Sequence, residues 1–131
     1  MVDGASRGNP GEAGCGAVIY DERGEVLKEL YAYLGSSTNN VAEYRGLLMG
    51  LEGVLELGGR HLQIRSDSEL LVRQLNGVYR VKDEKLKLLF RKAQELLGRL
   101  DAYRIIHVRR EHNKVADGLA NKAIDEAPHR G

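Results

Sequence analysis

Residues 38–57 read TNNVAEYRGLLMGLEGVLEL, and within them Val41, Tyr44, Leu47, Leu48, Leu51, Val54 and Leu55 recur at spacings of three and four. That period puts the apolar side chains on one stripe and predicts an amphipathic helix over 41–57, closed by Gly58-Gly59. Upstream, CGAVIYD (15–21) and the stretch Val26–Tyr33 alternate or run in strand fashion around the turn-like DERGE (21–25), which predicts an antiparallel hairpin. Downstream, LQIRS (62–66) reads as a short strand feeding a helix over Ser68–Leu75, and NGVYRVKD (76–83) as a turn region. A second long helix is expected over Glu84–Leu100, then a strand at YRIIHV (103–108), a loop at REHN (110–113), and a terminal helix over 114–126 with Leu119, Ala120 and Ala123 inward. A hairpin followed by alternating helices and strands predicts an α/β fold, a mixed sheet with helices on its faces.

The 131 residues, 42% of them hydrophobic, suit a single domain, 1–131, with one packed core. The longest apolar runs are a few residues and no basic leader precedes one, so neither a membrane span nor a secretory signal is expected and the expected address is the cytoplasm. A single cysteine, Cys15, cannot form an internal disulfide and reads as a small buried residue on a strand. The formal net charge of +1 hides an asymmetry. Between Gly77 and Lys114 eleven Lys/Arg face five acids, a bias that fits a polyanion or, equally, the wet face of a helix.

Four acidic residues stand in distinctive settings: Asp3 in DGASRGNPGEAG, Glu43 in TNNVAEYRGL, Asp67 in RSDSELLVRQL and Asp117 in REHNKVADGLANKA. Carboxylates at strand ends and first helical turns are the hard oxygen donors that hold divalent cations against phosphate. Each also has a plainer explanation. Glu43, three residues after Asn40, fits the far half of a capping box, and Asp67 and Asp117 fit ordinary first-turn acids. Asp3 is harder to explain that way, because Gly4 and Gly8 after it suit a place where another backbone comes close.

DGASRGNPG, TNNVAEYRGLLMGLE, SDSELLVRQLNG and HVRREHNKVADGLANKA, in this order and at these spacings, resemble the motifs of ribonuclease H of type 1 over nearly the whole chain. The likeness is to the compact bacterial and archaeal branch, without the extra basic helix and loop of longer relatives. It implies a ribonuclease H-like fold with a five-stranded mixed sheet, and an endoribonuclease that hydrolyses the RNA strand of RNA/DNA hybrids to 5′-phosphate and 3′-hydroxyl ends. It makes Asp3, Glu43, Asp67 and Asp117 the catalytic carboxylates holding two Mg²⁺ ions, with Mn²⁺ able to substitute. Two such ions activate water and neutralise the leaving oxygen. Four converging carboxylates with no basic residue among them should repel one another when the cations are absent, raising some of their pKa values.

The same resemblance assigns Thr38, Asn39 and Asn40 to a DNA phosphate and the minor groove, and Ser6, Gly8 and Asn9 to the RNA strand near the scissile bond. Small hydroxyls and amides are common phosphate and 2′-hydroxyl partners. Helix capping explains Asn39 and Asn40 as well, and Asn9-Pro10-Gly11 is a good turn by itself. His112 occupies the loop in which longer relatives carry an auxiliary histidine, but it lies nearer to the final aspartate than theirs. Arg109 and Arg110 read as phosphate contacts or as surface charge. Glu69 stands where several relatives carry a glutamine that touches the hybrid.

One departure is larger. The family's first strand begins several residues before the catalytic aspartate, whereas only Met1 and Val2 precede Asp3 here. That predicts a shortened first strand and neighbours short of backbone partners. It fits either a start point inside a longer reading frame or a fold that tolerates a stub, and about six strand-forming residues before Asp3 are expected to raise the melting temperature. The alternative functions are a non-catalytic RNA/DNA hybrid-binding module and another nuclease or transferase core of the same fold. A monomer is the expected state.

Overall fold

The computed structural model describes residues 1–127. Strands β1 (Val2–Gly8), β2 (Gly11–Tyr20) and β3 (Val26–Ser37) form an antiparallel meander, and helix α1 (Asn39–Glu56) follows. Then come β4 (His61–Ser66), helices α2 (Glu69–Leu75) and α3 (Glu84–Leu97), β5 (Ala102–His107), a 3-10 turn at Arg110–His112 and helix α4 (Lys114–Asp125). The five strands lie in the order β3-β2-β1-β4-β5, with β1 parallel to β4 and β4 parallel to β5. The expected mixed sheet flanked by helices is therefore the fold.

The two faces of the sheet are covered differently. On one, Val2, Ala17, Ile19, Ile64 and Ile105 meet Tyr44, Leu47 and Leu51 of α1, with α2 and α3 completing a single apolar cluster. Each fully buried aliphatic side chain there stabilises the fold by roughly 1.5–3 kcal/mol. The cluster contains one deliberate polar pair, the Tyr44 hydroxyl donating to Gln74 Oε1 at 2.6 Å. On the other face α4 packs against β2 through Val18, Ala116 and Leu119. Gly14 and Gly16 make that seat possible, since a Cβ on either would lie 2.4–2.5 Å from a backbone oxygen of α4.

Several element boundaries differ from expectation. The GASRG run, read as loop, is strand: β1 continues to Gly8 and turns into β2 through Asn9 and Pro10 alone. Helix α1 begins at Asn39 because its cap is Thr38, whose Oγ1 accepts from Val41 N at 3.3 Å, so neither Asn39 nor Asn40 is the N-cap and the Asn40–Glu43 capping box does not form. Helix α3 ends at Leu97, ahead of Gly98. The expected shortening of β1 falls on its β4 side, where Val2↔Ser66 is the one paired position. No helix among the described residues is long and apolar enough to cross a membrane.

Candidate active site

The site lies where β1, β4 and the first turns of α1 and α4 meet. Its key contact is between backbones. A Cβ on Gly4 would fall 2.1 Å from the Ala42 carbonyl carbon and 2.2 Å from Glu43 N, and one on Gly46 would fall 2.5 Å from Asp3 O. With hydrogen at both positions, α1 lies directly on β1, and Glu43 on its first turn is brought against Asp3 on the strand. The close backbone approach expected beside Asp3 is thus present at Gly4.

Asp67 arrives from the other side. It follows the last residue of β4 and precedes Ser68, whose Oγ caps α2 by accepting from Leu71 N at 3.2 Å. The buried Ser66 hydroxyl accepts from Ser68 N, and a ring nitrogen of His107 lies 3.2 Å from Asp67 O. Asp67 is therefore not a first-turn acid; it precedes the cap. Asp117, by contrast, is in the first turn of α4, its N–H donating to Asn113 O. Asn113 is fully buried, and its Nδ2 donates to Val2 O at 3.0 Å, which ties the start of α4 to the residue beside Asp3. Sequence reasoning did not single out Asn113 or His107 as site residues.

Asp3, Glu43 and Asp67 each bring a carboxylate oxygen within 4.8 Å of the other two. Asp117 lies outside that group of three but close enough for its charge to act on both Asp3 and Glu43. Burial first, and then the charges of Glu43, Asp67 and Asp117, push the Asp3 carboxyl up to about 9. Burial and the Asp67 charge likewise push Glu43 up to about 8, opposed by a hydrogen bond from Gly4 N–H and by the Arg110 guanidinium. The expected repulsion is present, but the site is not free of basic influence, because Arg110 acts on Glu43. Glu43 Oε2 is buried with no hydrogen-bond partner among the described residues. Clustered carboxylates with an orphaned buried oxygen fit a hard divalent cation, which would satisfy that oxygen and offset the repulsion.

A pH dependence follows. Asp3 and Glu43 in the folded chain keep protons that the unfolded chain has released by about pH 4–5. Their contribution to stability is therefore lost as pH climbs from there through about 8 and 9. In a chelator, the protein is expected to melt several degrees lower at pH 9 than at pH 6, with a smaller drop for Asp3→Asn and a drop largely abolished by saturating Mg²⁺. Thermal melts across that range check it.

The residues expected to touch substrate form a connected rim. Ser6 N donates to Asn39 Oδ1 at 2.9 Å, Asn39 N donates to Asn9 Oδ1 at 3.3 Å, and the Ser6 hydroxyl, with Ser37 O at 2.8 Å and Gly8 O as its alternative acceptors, donates to one of these carbonyls. Gly8 adopts φ +118°, Asn9-Pro10 is cis, and Asn40 is exposed alongside. Arg109, Arg110 and His112 are exposed at the turn leading into α4, with Arg109 3.9 Å from Glu111. Of the eleven basic residues in the 77–114 stretch, Lys87, Lys92, Arg99 and Arg109 are engaged by nearby acids.

Sheet order, helix placement and the carboxylate cluster together define a ribonuclease H-like domain. The family model described as "Reverse transcriptase-like" matches residues 1–123, and the chain belongs to that family. The ribonuclease HI of Halobacterium salinarum is 42% identical over 95% of this chain and 63% of its own length, and the bifunctional protein Rv2228c of Mycobacterium tuberculosis is 44% identical over 96% and 35%. The chain thus spans about a third of the mycobacterial relative and under two thirds of the archaeal one. The crystal structure of the RNase H1 from H. salinarum superposes with a TM-score of 0.93 at 41% identity, covering 96% of each chain. LC11-RNase H1, solved in complex with an RNA/DNA hybrid, superposes with a TM-score of 0.91 at 45% identity, covering 95% of this chain and 94% of that one.

Proposed function

We propose that this protein is a metal-dependent endoribonuclease that hydrolyses the RNA strand of RNA/DNA hybrids by a two-metal-ion mechanism, leaving 5′-phosphate and 3′-hydroxyl ends. The observation that carries it is the convergence of Asp3, Glu43 and Asp67, from separate parts of the chain, around the unsatisfied Glu43 oxygen. In this reading Asp3, Glu43, Asp67 and Asp117 hold Mg²⁺, with Mn²⁺ as a substitute. The bound ions supply Lewis-acid activation of water and charge neutralisation at the leaving oxygen. The protein's own contribution is to preorganise the donors. Gly4 lets the first turn of α1, with Glu43, lie against β1 beside Asp3, and Asn113 ties the start of α4, which carries Asp117, to Val2 next to Asp3.

Substrate is gripped by the rim. Ser6, Gly8 and Asn9 meet the RNA strand, and Thr38, Asn39 and Asn40 meet the DNA phosphate and the minor groove, where 2′-hydroxyls distinguish RNA from DNA. The Ser6–Asn39–Asn9 hydrogen bonds support this by locking the two segments to each other. Arg109 and Arg110 add positive charge beside the phosphates, and His112 on the same turn exchanges protons at the site's edge. The buried, unpaired Cys15 is in keeping with a reducing, cytoplasmic compartment, and the reading takes the protein as a monomer.

Incubating a labelled hybrid with the protein in Mg²⁺ or Mn²⁺, beside single strands and duplex DNA, tests the assignment. Cleavage confined to the RNA of the hybrid is expected. Hybrid binding without cleavage in either metal would replace it with a binding module, and cutting of duplex DNA would place the chain with another nuclease of this fold.

A further inference from the structure

Of the four carboxylates, Asp67 alone is carried by neither a strand nor a helix: it is the single residue between Ser66, the last of β4, and Ser68, the cap of α2. The direction of its side chain therefore depends on what fixes that junction. The end of β5 does so from the side. Val108 N donates to Ser66 O at 2.9 Å, His107 lies beside Ser66 in the parallel register, and His107 Nε2 lies 3.2 Å from Asp67 O. No other hydrogen bond reaches that carbonyl among the described residues. A carbonyl oxygen only accepts, so Nε2 must carry the hydrogen. The far end of α2 is tied to the same strand, Asn76 Nδ2 donating to Ile105 O at 3.1 Å. Packing does not explain His107, whose ring is exposed while Ile105 supplies the buried apolar side chain on this strand. An exposed imidazole donating to one backbone carbonyl adds little to global stability. What it fixes is local: the peptide plane that follows Asp67.

We propose that His107 is a positioning residue for the metal centre: its Nε2–H, donated to Asp67 O, holds the Asp67 carboxylate where it can share a divalent cation with Asp3 and Glu43. The inference rests on reading these carboxylates as metal ligands. Hydrogen-bonding partners one step behind a ligand commonly change metal affinity or activity by about 10–100-fold when lost. The role needs a donor at the Nε2 position and no charge, which makes it separable from a packing role by chemistry. The side-chain amide nitrogen of glutamine reaches the place of Nε2, whereas that of asparagine reaches only the place of Nδ1.

Calorimetric Mn²⁺ titrations, and cleavage of a labelled hybrid against Mg²⁺ concentration, test it on the parent, His107→Ala, His107→Asn and His107→Gln. Alanine and asparagine are expected to weaken Mn²⁺ binding and to raise the Mg²⁺ concentration for half-maximal cleavage by about 10-fold. The KM for hybrid at saturating Mg²⁺ and the metal-free melting temperature should stay close to the parent's. Glutamine is expected to restore most of both metal readouts. Unchanged metal dependence in His107→Ala, or equal losses in the asparagine and glutamine variants, would overturn the proposal. So would a raised KM with the metal dependence intact, which would put His107 against the substrate instead. A parent that binds Mn²⁺ and leaves every hybrid intact would end the nuclease reading alone, because the calorimetric comparison still decides for or against His107.

Discussion

Asp67→Asn is expected to lower hybrid cleavage by more than about 100-fold, since even residues that only support a metal ligand cost about 10–100-fold when lost. The fold should survive. Asp67 is half-buried, and its carbonyl near His107 and the Ser68 cap beyond it are backbone and neighbouring features that the substitution leaves in place. Removing its charge relieves the repulsion that raises both Asp3 and Glu43, so the metal-free variant should melt at the parent temperature or above it near pH 8–9. Cleavage rates and melts measured side by side check both halves. Undiminished turnover would remove Asp67 from the active site.

Gly4→Ala is expected to be more damaging than its size suggests. The added methyl would lie 2.1 Å from the carbonyl carbon of Ala42 and 2.2 Å from Glu43 N, atoms of the α1 backbone that cannot rotate away. Either the helix lifts from β1 or the strand bends. Overpacking of this kind costs about 1–3 kcal/mol and sometimes more, and the displaced element carries Glu43. The variant should therefore lose most of its cleavage activity along with stability. Gly118→Ala is the control, because a Cβ there meets nothing within 4 Å and Gly118 sits beside Asp117 in the same site region. Denaturant melts and hybrid cleavage on both variants separate a packing effect from a general intolerance of alanine near the site.

The elements that could be read from the sequence are those whose apolar residues recur with one period. Val41 to Leu55 announced α1, and the alternation around DERGE announced the β2–β3 hairpin. Where pairing rather than pattern makes the structure, the sequence was silent. GASRG has no apolar alternation, yet it is strand because β2 lies beside it residue for residue from Val2↔Ala17 to Gly8↔Gly11. The cap at Thr38 in place of Asn40 was equally hidden, since each offers a side-chain oxygen and only the path from β3 decides between them.

The candidate site was legible as residue types in four motifs, and the structure brings three of the four carboxylates into one cluster with Asp117 near enough for its charge to act on Asp3. Asn113 was not legible, because its partner, Val2 O, lies 111 residues away. Arg110's influence on Glu43 was missed for the same reason: distance through space cannot be counted along the chain.

Crystals of the protein grown with an uncleavable hybrid and Mn²⁺ test the account most directly, through the anomalous signal of the metal. Two peaks about 3.5–4 Å apart, held among the carboxylates of Asp3, Glu43, Asp67 and Asp117, are the predicted result. Strong metal peaks elsewhere with none among these carboxylates, from a preparation that cleaves hybrid, would contradict it.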